Sequence, residues 1–172
     1  CIIGGLGKGL RDLMELGWID RLPRLLGVQA EGSAALYNAW KEGTEEVKPV
    51  EPRTIADSIS VGMPRDRIKA LRAVRYTGGA FITVSDEEIL EAMRVLGREA
   101  GIFAEPAGAA PFAGLLKALR EGLIAPEERV VVLITGNGLK DVGAAMKAAG
   151  SPLIVEPDMK AVRKVISSLN VA

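Results

Sequence analysis

Two short segments carry the side chains with which this sequence could do chemistry. The first is Thr135-Gly136-Asn137-Gly138, which follows directly on the apolar run VVVLI. A hydroxyl at the end of a buried strand, with glycines clearing the space beside it, is suited to holding a flat ring at the edge of a sheet. The alternative is a plain strand-to-helix turn in which Asn137 and Gly138 adopt left-handed backbone angles. We favour ring binding, because so apolar a strand belongs at the centre of a sheet.

The second segment, FAEPAGAA at 103–110, places the carboxylate of Glu105 among small apolar residues. Desolvation there would favour the protonated form of the side chain, which acts as an acid or a hydrogen-bond donor. An ordinary acidic residue near a helix N-terminus explains the same pattern, because the helix dipole stabilises negative charge at that end. Composition alone leaves both interpretations open.

A third candidate is the glycine-rich stretch from Cys1 to Gly9. Glycines let the backbone approach an anion, and a helix that follows them offers free N–H groups and the positive end of its dipole. The stretch is not a P-loop, because neither Ser nor Thr follows Gly7-Lys8, and Leu10 stands where the dinucleotide fingerprint has its third glycine. Glycines that ease helix packing explain the stretch equally well.

The composition excludes several other kinds of chemistry. The 172 residues include no histidine and a single cysteine, which rules out Ser-His-Asp and Cys-His arrangements and most zinc sites within this sequence. Basic and acidic residues number 22 each, so no net charge attracts nucleic acid or an anionic membrane. No apolar run reaches the roughly 18 residues of a membrane span, and no secretory leader is present. We therefore expect a cytoplasmic protein without metal, nucleic-acid or membrane partners.

Helices alternate with short apolar strands along the chain. Apolar spacing and end signals predict helices over 4–16, 33–40, 64–76, 86–100, 107–120, 141–149 and 158–169. Strands are predicted over 24–29, 80–85, 130–135 and 152–157. Ser33 and Ser85 are predicted helix N-caps, the second in a capping box with Glu88. Right-handed crossovers then give an α/β, doubly wound parallel sheet with helices on both faces.

Together these segments resemble the pyridoxal-phosphate enzymes of the tryptophan-synthase-β fold, or fold type II, and most closely the threonine synthases. The strings that carry the resemblance are LPRLLGVQAEG, TIADSISVG with the proline that follows, EPAGAA and TGNGLKD, in the family's order and spacing. The resemblance implies pyridoxal phosphate, a small amino-acid substrate, a homo-oligomer, and conversion of O-phosphohomoserine and water to threonine and phosphate. EPAGA-type strings also occur in threonine and serine dehydratases, so that reaction stays open, as does a non-catalytic assembly or binding fragment.

The resemblance also implies which residues contact the cofactor. Thr135 matches the hydroxyl that bonds the pyridine nitrogen, Gly136 lies beside it, and Glu105 matches an acidic position near the cofactor. A neutral partner leaves that nitrogen largely unprotonated, which makes the ring a weaker electron sink. The phosphate loop would end at about Cys1 and Ile2. No residue matches the family's imine-forming lysine, so we expect no catalytic residue in this chain and no activity from it alone.

We accordingly interpret residues 1–150 as the C-terminal portion of a large cofactor-binding domain whose upstream half is a missing partner. Residues 151–172 would form a terminal strand and an amphipathic helix, whose apolar side comprises Met159, Val162, Val165, Ile166 and Leu169. A start at Cys1 indicates a cut, a processing site or an ordering limit. A parallel sheet without its first strands would expose an apolar edge, so we expect the isolated chain to associate.

Overall fold

The computed structural model describes residues 1–168 as a short parallel sheet covered by helices. The helices are α1 (Ile2–Glu15), α2 (Ala35–Lys41), α3 (Arg67–Tyr76), α4 (Asp86–Ala100), α5 (Pro106–Arg120), α6 (Val142–Ala149) and α7 (Met159–Ser168). The strands are β1 (Leu26–Ala30) and β2 (Ala80–Val84), and 3-10 helices lie at Glu31–Ser33, Asp57–Ile59 and Gly138–Asp141. All seven predicted helices are found, although α3 begins three residues later than predicted. Leu169, predicted on the apolar side of the last helix, lies outside the described residues.

Helices pack on both faces of the two-stranded sheet. β1 and β2 are parallel, in a register that pairs Leu26 with Ala80 and Ala30 with Val84. Ala30 and Val84 face a cluster formed with α4 and α5, whereas Phe81 faces α2 and α3. Side chains alternate between the two faces along each strand, so the two clusters lie on opposite sides of the sheet. This arrangement confirms the α/β class and the parallel sheet with helices on both faces.

Two of the predicted strands are not formed. The segments 130–135 and 152–157 carry no secondary structure, and Val131 and Ile154 are 87% and 97% exposed. Their apolar composition is typical of buried strands, but a strand needs a neighbour to satisfy its backbone groups, and none of the described strands lies beside either segment. The prediction of a central strand at 130–135 is therefore wrong for this structure. The division of the chain at residue 150 stays a prediction.

The best-defined helix ends belong to α4. The amide of Glu88 donates to Ser85 Oγ at 3.1 Å, and the amide of Ser85 donates to Glu88 Oε2 at 3.0 Å, which completes the predicted capping box. At the other end, Gly101 has φ = 65°, the left-handed conformation that ends many helices and favours glycine. Both ends follow from local sequence, and the predicted capping box and the predicted helix end at residue 100 are confirmed.

We expect Ser85→Ala to lower the free energy of unfolding by about 1 kcal/mol, because it leaves the Glu88 amide without its capping partner. Urea unfolding of the full-length protein measures the change. Ser151→Ala is the matched control, since Ser151 is exposed and bonds to none of the described residues; its effect should stay within about 0.5 kcal/mol. Equal effects of the two substitutions would contradict the contribution of the capping box.

The start of α2 is held differently from the prediction. The side-chain oxygen of Gln29 accepts hydrogen bonds from the amides of Leu36 and Tyr37, both at 2.9 Å. Ser33, predicted as the N-cap, is buried and instead accepts a bond from the amide of Val61 at 3.0 Å. The prediction that Ser33 caps α2 is wrong, because its hydroxyl is hydrogen-bonded to a distant loop and not to the adjacent helix. That loop, which precedes α3, is thereby fixed against the end of β1.

A cluster of charges joins α4 and α5 to the end of β1. Lys117 Nζ lies 3.3 Å from Glu31 Oε1 and 3.5 Å from Glu88 Oε2, and its side chain is 19% exposed. Burial lowers the pKa of Lys117, but the hydrogen bond to Glu31 and the charge of Glu88 outweigh burial and raise the pKa above its ordinary value. Arg120 donates to the same Glu88 at 2.6 Å. The cluster therefore stabilises the charged form of a half-buried lysine.

We expect this cluster to make stability decline at high pH. A raised pKa in the folded state means that the contribution of Lys117 is fully present below its unfolded pKa, about 10.4, and is lost as the pH rises through the higher folded value. Lys117→Met should remove this decline and lower the free energy of unfolding near pH 8 by about 1 kcal/mol or less. Thermal unfolding of both proteins between about pH 8 and pH 11 makes the comparison. Parallel pH profiles would show that Lys117 does not contribute to the decline.

Candidate cofactor site

The segment Thr135-Gly136-Asn137-Gly138 lies directly against the start of α5. The amide of Glu105 donates to the carbonyl of Gly136 at 2.9 Å, and the amide of Gly138 donates to the carbonyl of Phe103 at 3.0 Å. Ala104 and Asn137 form an isolated antiparallel bridge between the same two segments. The structure thus brings together two groups of candidate residues that are 30 positions apart in the sequence.

The glycines of this segment are required by close contact. A Cβ added to Gly136 would overlap the Glu105 carboxylate and lie 2.6 Å from Glu105 Cγ. A Cβ on Gly138 would overlap the ring of Phe103. Asn137 has φ = −81° and ψ = 142°, and Gly138 is not among the glycines with positive φ. The left-handed angles proposed for Asn137 and Gly138 are therefore wrong, and packing explains the two glycines; ring binding by this segment stays a prediction.

Glu105 is a buried carboxylate paired with a lysine. Its side chain is 8% exposed, which agrees with the desolvation that its apolar neighbours predict. Lys140 Nζ lies 3.3 Å from Glu105 Oε1 and donates to Ser58 Oγ at 2.6 Å. No other side chain among residues 1–168 bonds to this carboxylate. The role of Glu105 as an acid or hydrogen-bond donor, to which the sequence pointed, stays a prediction.

Thr135, the residue before Gly136, presents an unused hydroxyl. The preceding residue, Ile134, is partly buried against the cluster formed by α4 and α5, whereas Thr135 is exposed. Within the described part of the chain its Oγ1 has no hydrogen-bond partner. A threonine hydroxyl both donates and accepts, so this oxygen is available to a polar atom of a ligand.

Cys1 and Ile2, the other predicted contacts, lie at the exposed start of α1. α1 packs against α3 through its glycines: a Cβ on Gly7 would overlap Ala73, and one on Gly4 would also meet α3. Helix packing therefore accounts for two of the glycines in this stretch. No hydrogen bond or ion pair between described residues connects Cys1 or Ile2 to the site near α5. Their contact with a phosphate group stays a prediction.

From the sequence, Lys140 was discounted as a solvated surface lysine near a helix start, and Ser58 was not identified. A signal was available for Lys140, because a carboxylate in apolar surroundings needs a cation, and this lysine follows Gly138 by two residues. Nothing in the sequence indicated Ser58. It reaches the site on the 3-10 helix Asp57–Ile59, which packs against α5.

The described residues offer neither a membrane span nor a metal site. None of the helices in 1–168 has the length and apolar character needed to cross a membrane. Over the same range, no three His, Cys, Asp or Glu side chains are grouped so that they could hold a metal ion. The thiol of Cys1 is free and exposed.

Residues 2–136 match the family of pyridoxal-phosphate dependent enzymes. The match covers more than half of the chain and includes both strands, Glu105 and Gly136. The chain belongs to this family, and its cofactor is pyridoxal phosphate.

One curated relative is the threonine synthase of Methanocaldococcus jannaschii, which is 40% identical over 168 residues. That alignment covers 97% of this chain and 42% of the relative, so the chain spans about two fifths of the relative's length. Both segments of the candidate site fall within this range.

Two solved structures show the fold. The processed form of threonine deaminase isoform 2 from Solanum lycopersicum has a TM-score of 0.66 at 20% identity, over 87% of this chain and 41% of that one. Threonine synthase from Escherichia coli has a TM-score of 0.57 at 20% identity, over 86% and 38%. The predicted fold, the C-terminal part of a fold type II pyridoxal-phosphate enzyme, is confirmed.

Proposed function

We propose that this chain is the C-terminal part of a threonine synthase, which converts O-phosphohomoserine and water to threonine and phosphate by γ-elimination and β-addition. The observation that carries the proposal is 40% identity to a threonine synthase across 97% of this chain, a range that includes Glu105 and the segment 135–138. The remaining part of the enzyme would supply the imine-forming lysine, so the 172 residues alone would be inactive. A cytoplasmic location and a homo-oligomeric assembly belong to the same proposal.

The residues around Thr135 fit the pyridine end of the cofactor. Bound pyridoxal phosphate supplies an electron sink for negative charge that develops on the substrate. The unused hydroxyl of Thr135 would hydrogen-bond the ring nitrogen and, as a neutral partner, leave it largely unprotonated. A Cβ at Gly136 would meet the Glu105 carboxylate, so glycine at this position leaves room for that carboxylate against the segment that carries Thr135.

The other two contacts would come from the start of α1. The first amides of a helix have no partner within the helix, and together with the helix dipole they attract anions. Cys1 and Ile2 would hold the cofactor phosphate in this way. Both residues are exposed in the structure.

Product analysis with the full-length protein tests the proposed reaction. A threonine synthase releases threonine and phosphate in equal amounts from O-phosphohomoserine. A dehydratase, the alternative that the EPAGAA string keeps open, would instead form a 2-oxo acid and ammonia from threonine or serine. If the full-length protein converts none of these substrates, the result would favour the third alternative, in which this chain has a non-catalytic binding or assembly role. Threonine formed by the isolated 172 residues would contradict the need for the upstream lysine.

A further inference from the structure

Residues 130–134 have the burial pattern of a β-strand but no strand beside them. Val132 and Ile134 are half-buried, whereas Val131 and Leu133 are exposed. Alternate side chains of an extended chain point to opposite sides, so this segment lies with one side against the protein. None of its backbone groups is hydrogen-bonded to another of the described residues. The segment therefore presents unpaired backbone groups together with exposed apolar side chains.

This segment runs in the same direction as β1. Before its start, the carboxylate of Glu128 pairs with Arg24, which lies just ahead of β1. At its end, Ile134 packs against the cluster that contains Ala30 and Val84, the last residues of β1 and β2. No hydrogen bond joins the segment to β1, and the sheet of the described residues consists of β1 and β2 alone. One edge of β1 is therefore also without a neighbouring strand.

The helices on one face of the sheet show where a strand that precedes α1 would lie. α3 connects β1 to β2 across the face to which Phe81 points, and Ile3 of α1 packs against the same cluster. Connections between parallel strands are right-handed in almost all proteins. Two right-handed connections on one face advance in the same direction. A strand leading into α1 would therefore lie next to β1, on the edge opposite β2.

The path from β2 to residues 130–134 crosses the other face of the sheet. α4 and α5 follow β2 and pack into the cluster that contains Ala30 and Val84. A right-handed connection on this face advances in the opposite direction, which carries the chain from β2 back past β1. Residues 130–134 thus lie beyond the free edge of β1, on the same side as a strand that leads into α1.

We propose that the segment directly preceding Cys1 in the full-length enzyme forms a parallel strand between β1 and residues 130–134. The proposal rests on the proposed function in one respect, namely that the enzyme continues upstream of Cys1. This chain covers 42% of the threonine synthase of Methanocaldococcus jannaschii, which leaves ample length for such a strand. The strand would pair with the free edges on both sides and bury the apolar run VVVLI, whose composition is typical of a central strand.

Hydrogen exchange of the full-length protein measures whether residues 130–134 are paired. Amides within a sheet exchange only when the sheet opens, so several amides of this segment should exchange at least about 100-fold more slowly than unbonded amides. Asp20 gives the unbonded reference, because it is exposed and its amide has no partner among the described residues. Exchange as fast as that of Asp20 throughout the segment would overturn the proposal.

A photo-reactive side chain identifies the neighbour of the segment. Replacing Leu133 by p-benzoylphenylalanine in the full-length protein should give, after illumination and mass spectrometry, a link to the segment directly preceding Cys1 in the same molecule. The matched control carries this group at Leu119 on α5, a leucine of similar exposure, 38% against 41%, and should give no such link. The exchange measurement uses the unsubstituted protein, so it does not depend on how these variants fold.

Three cross-linking results would overturn the proposal. A link from position 133 to another molecule would show that a second copy covers the segment, as unpaired strand edges allow. A link to a different upstream segment would show that another strand lies there. No link outside residues 1–172 would show that the upstream part leaves the segment uncovered.

Neither measurement involves substrate or cofactor, so the proposed function fails separately. If the expected link forms but the full-length protein makes no threonine, the strand is correctly placed and the proposed reaction is wrong. If threonine is made but position 133 links to a second copy, the reaction stands and the placement of the strand is wrong.

Discussion

Replacing Thr135 by alanine is expected to lower kcat of the full-length protein by roughly 5- to 10-fold and to leave its stability nearly unchanged. A hydrogen bond between neutral groups contributes about 1–1.5 kcal/mol, and each 1.4 kcal/mol corresponds to about tenfold in rate. The fold loses little, because Thr135 is exposed and its hydroxyl has no partner within residues 1–168. Steady-state kinetics and urea unfolding of the same preparations separate the two effects.

Thr135→Ser is the matched control, because it keeps the hydroxyl and removes only a methyl group. Its kcat should stay within about threefold of the unsubstituted enzyme, since a serine hydroxyl donates and accepts in the same way. If Thr135→Ala had unchanged kinetics, Thr135 would not be a cofactor contact. If alanine and serine were equally damaging, the methyl group rather than the hydrogen bond would be responsible.

Replacing Gly136 by alanine is expected to lower the free energy of unfolding by about 1–3 kcal/mol, the usual effect of forcing an extra group into a well-packed site. The new Cβ would overlap the Glu105 carboxylate, whose Cγ would be only 2.6 Å away. Either Glu105 or the 135–138 segment must then move, and both carry contacts proposed for the cofactor. We therefore also expect cofactor affinity to fall by at least tenfold, measured by absorbance titration.

Gly97→Ala is the control for Gly136→Ala. Gly97 lies within α4, and a Cβ added there meets no atom within 4 Å. Alanine should stabilise this helix by about 0.5–1 kcal/mol, because glycine loses more backbone freedom on folding. Glycine-to-alanine substitution should therefore lower the free energy of unfolding at Gly136 and raise it at Gly97. Unchanged stability and cofactor affinity in Gly136→Ala would show that Glu105 and the 135–138 segment are not as closely packed as described.

Both substitutions concern a site whose parts were visible in the sequence but whose assembly was not. Thr135, Gly136 and Glu105 were identified by their types and by their resemblance to a family pattern. Their contact depends on the bond from the Glu105 amide to the carbonyl of Gly136. Residue types indicate which groups can bind a ring, but no local pattern indicates which distant segments meet.

Local interactions explain the successful predictions of secondary structure. Three features act over only a few positions: the capping box of Ser85 and Glu88, the left-handed Gly101, and the β-branched residues of β2. Adjacent residues therefore suffice to predict the structure there. Prediction failed where a group distant in the sequence took the expected partner. Serine is a common helix cap, but the hydroxyl of Ser33 accepts a hydrogen bond from the amide of Val61. The side chain of Gln29 instead accepts the bond from the first turn of α2.

The sequence by itself predicted the fold class from periodicity, which is a local property, and its resemblance to a family supplied the family and the side chains proposed to contact pyridoxal phosphate. Only the tertiary structure decided that 130–135 stays unpaired and that Lys140 compensates Glu105. A strand forms only beside another strand, and a buried charge persists only beside an opposite one. In both cases the partner is distant in the sequence, so the fold determines whether the interaction exists.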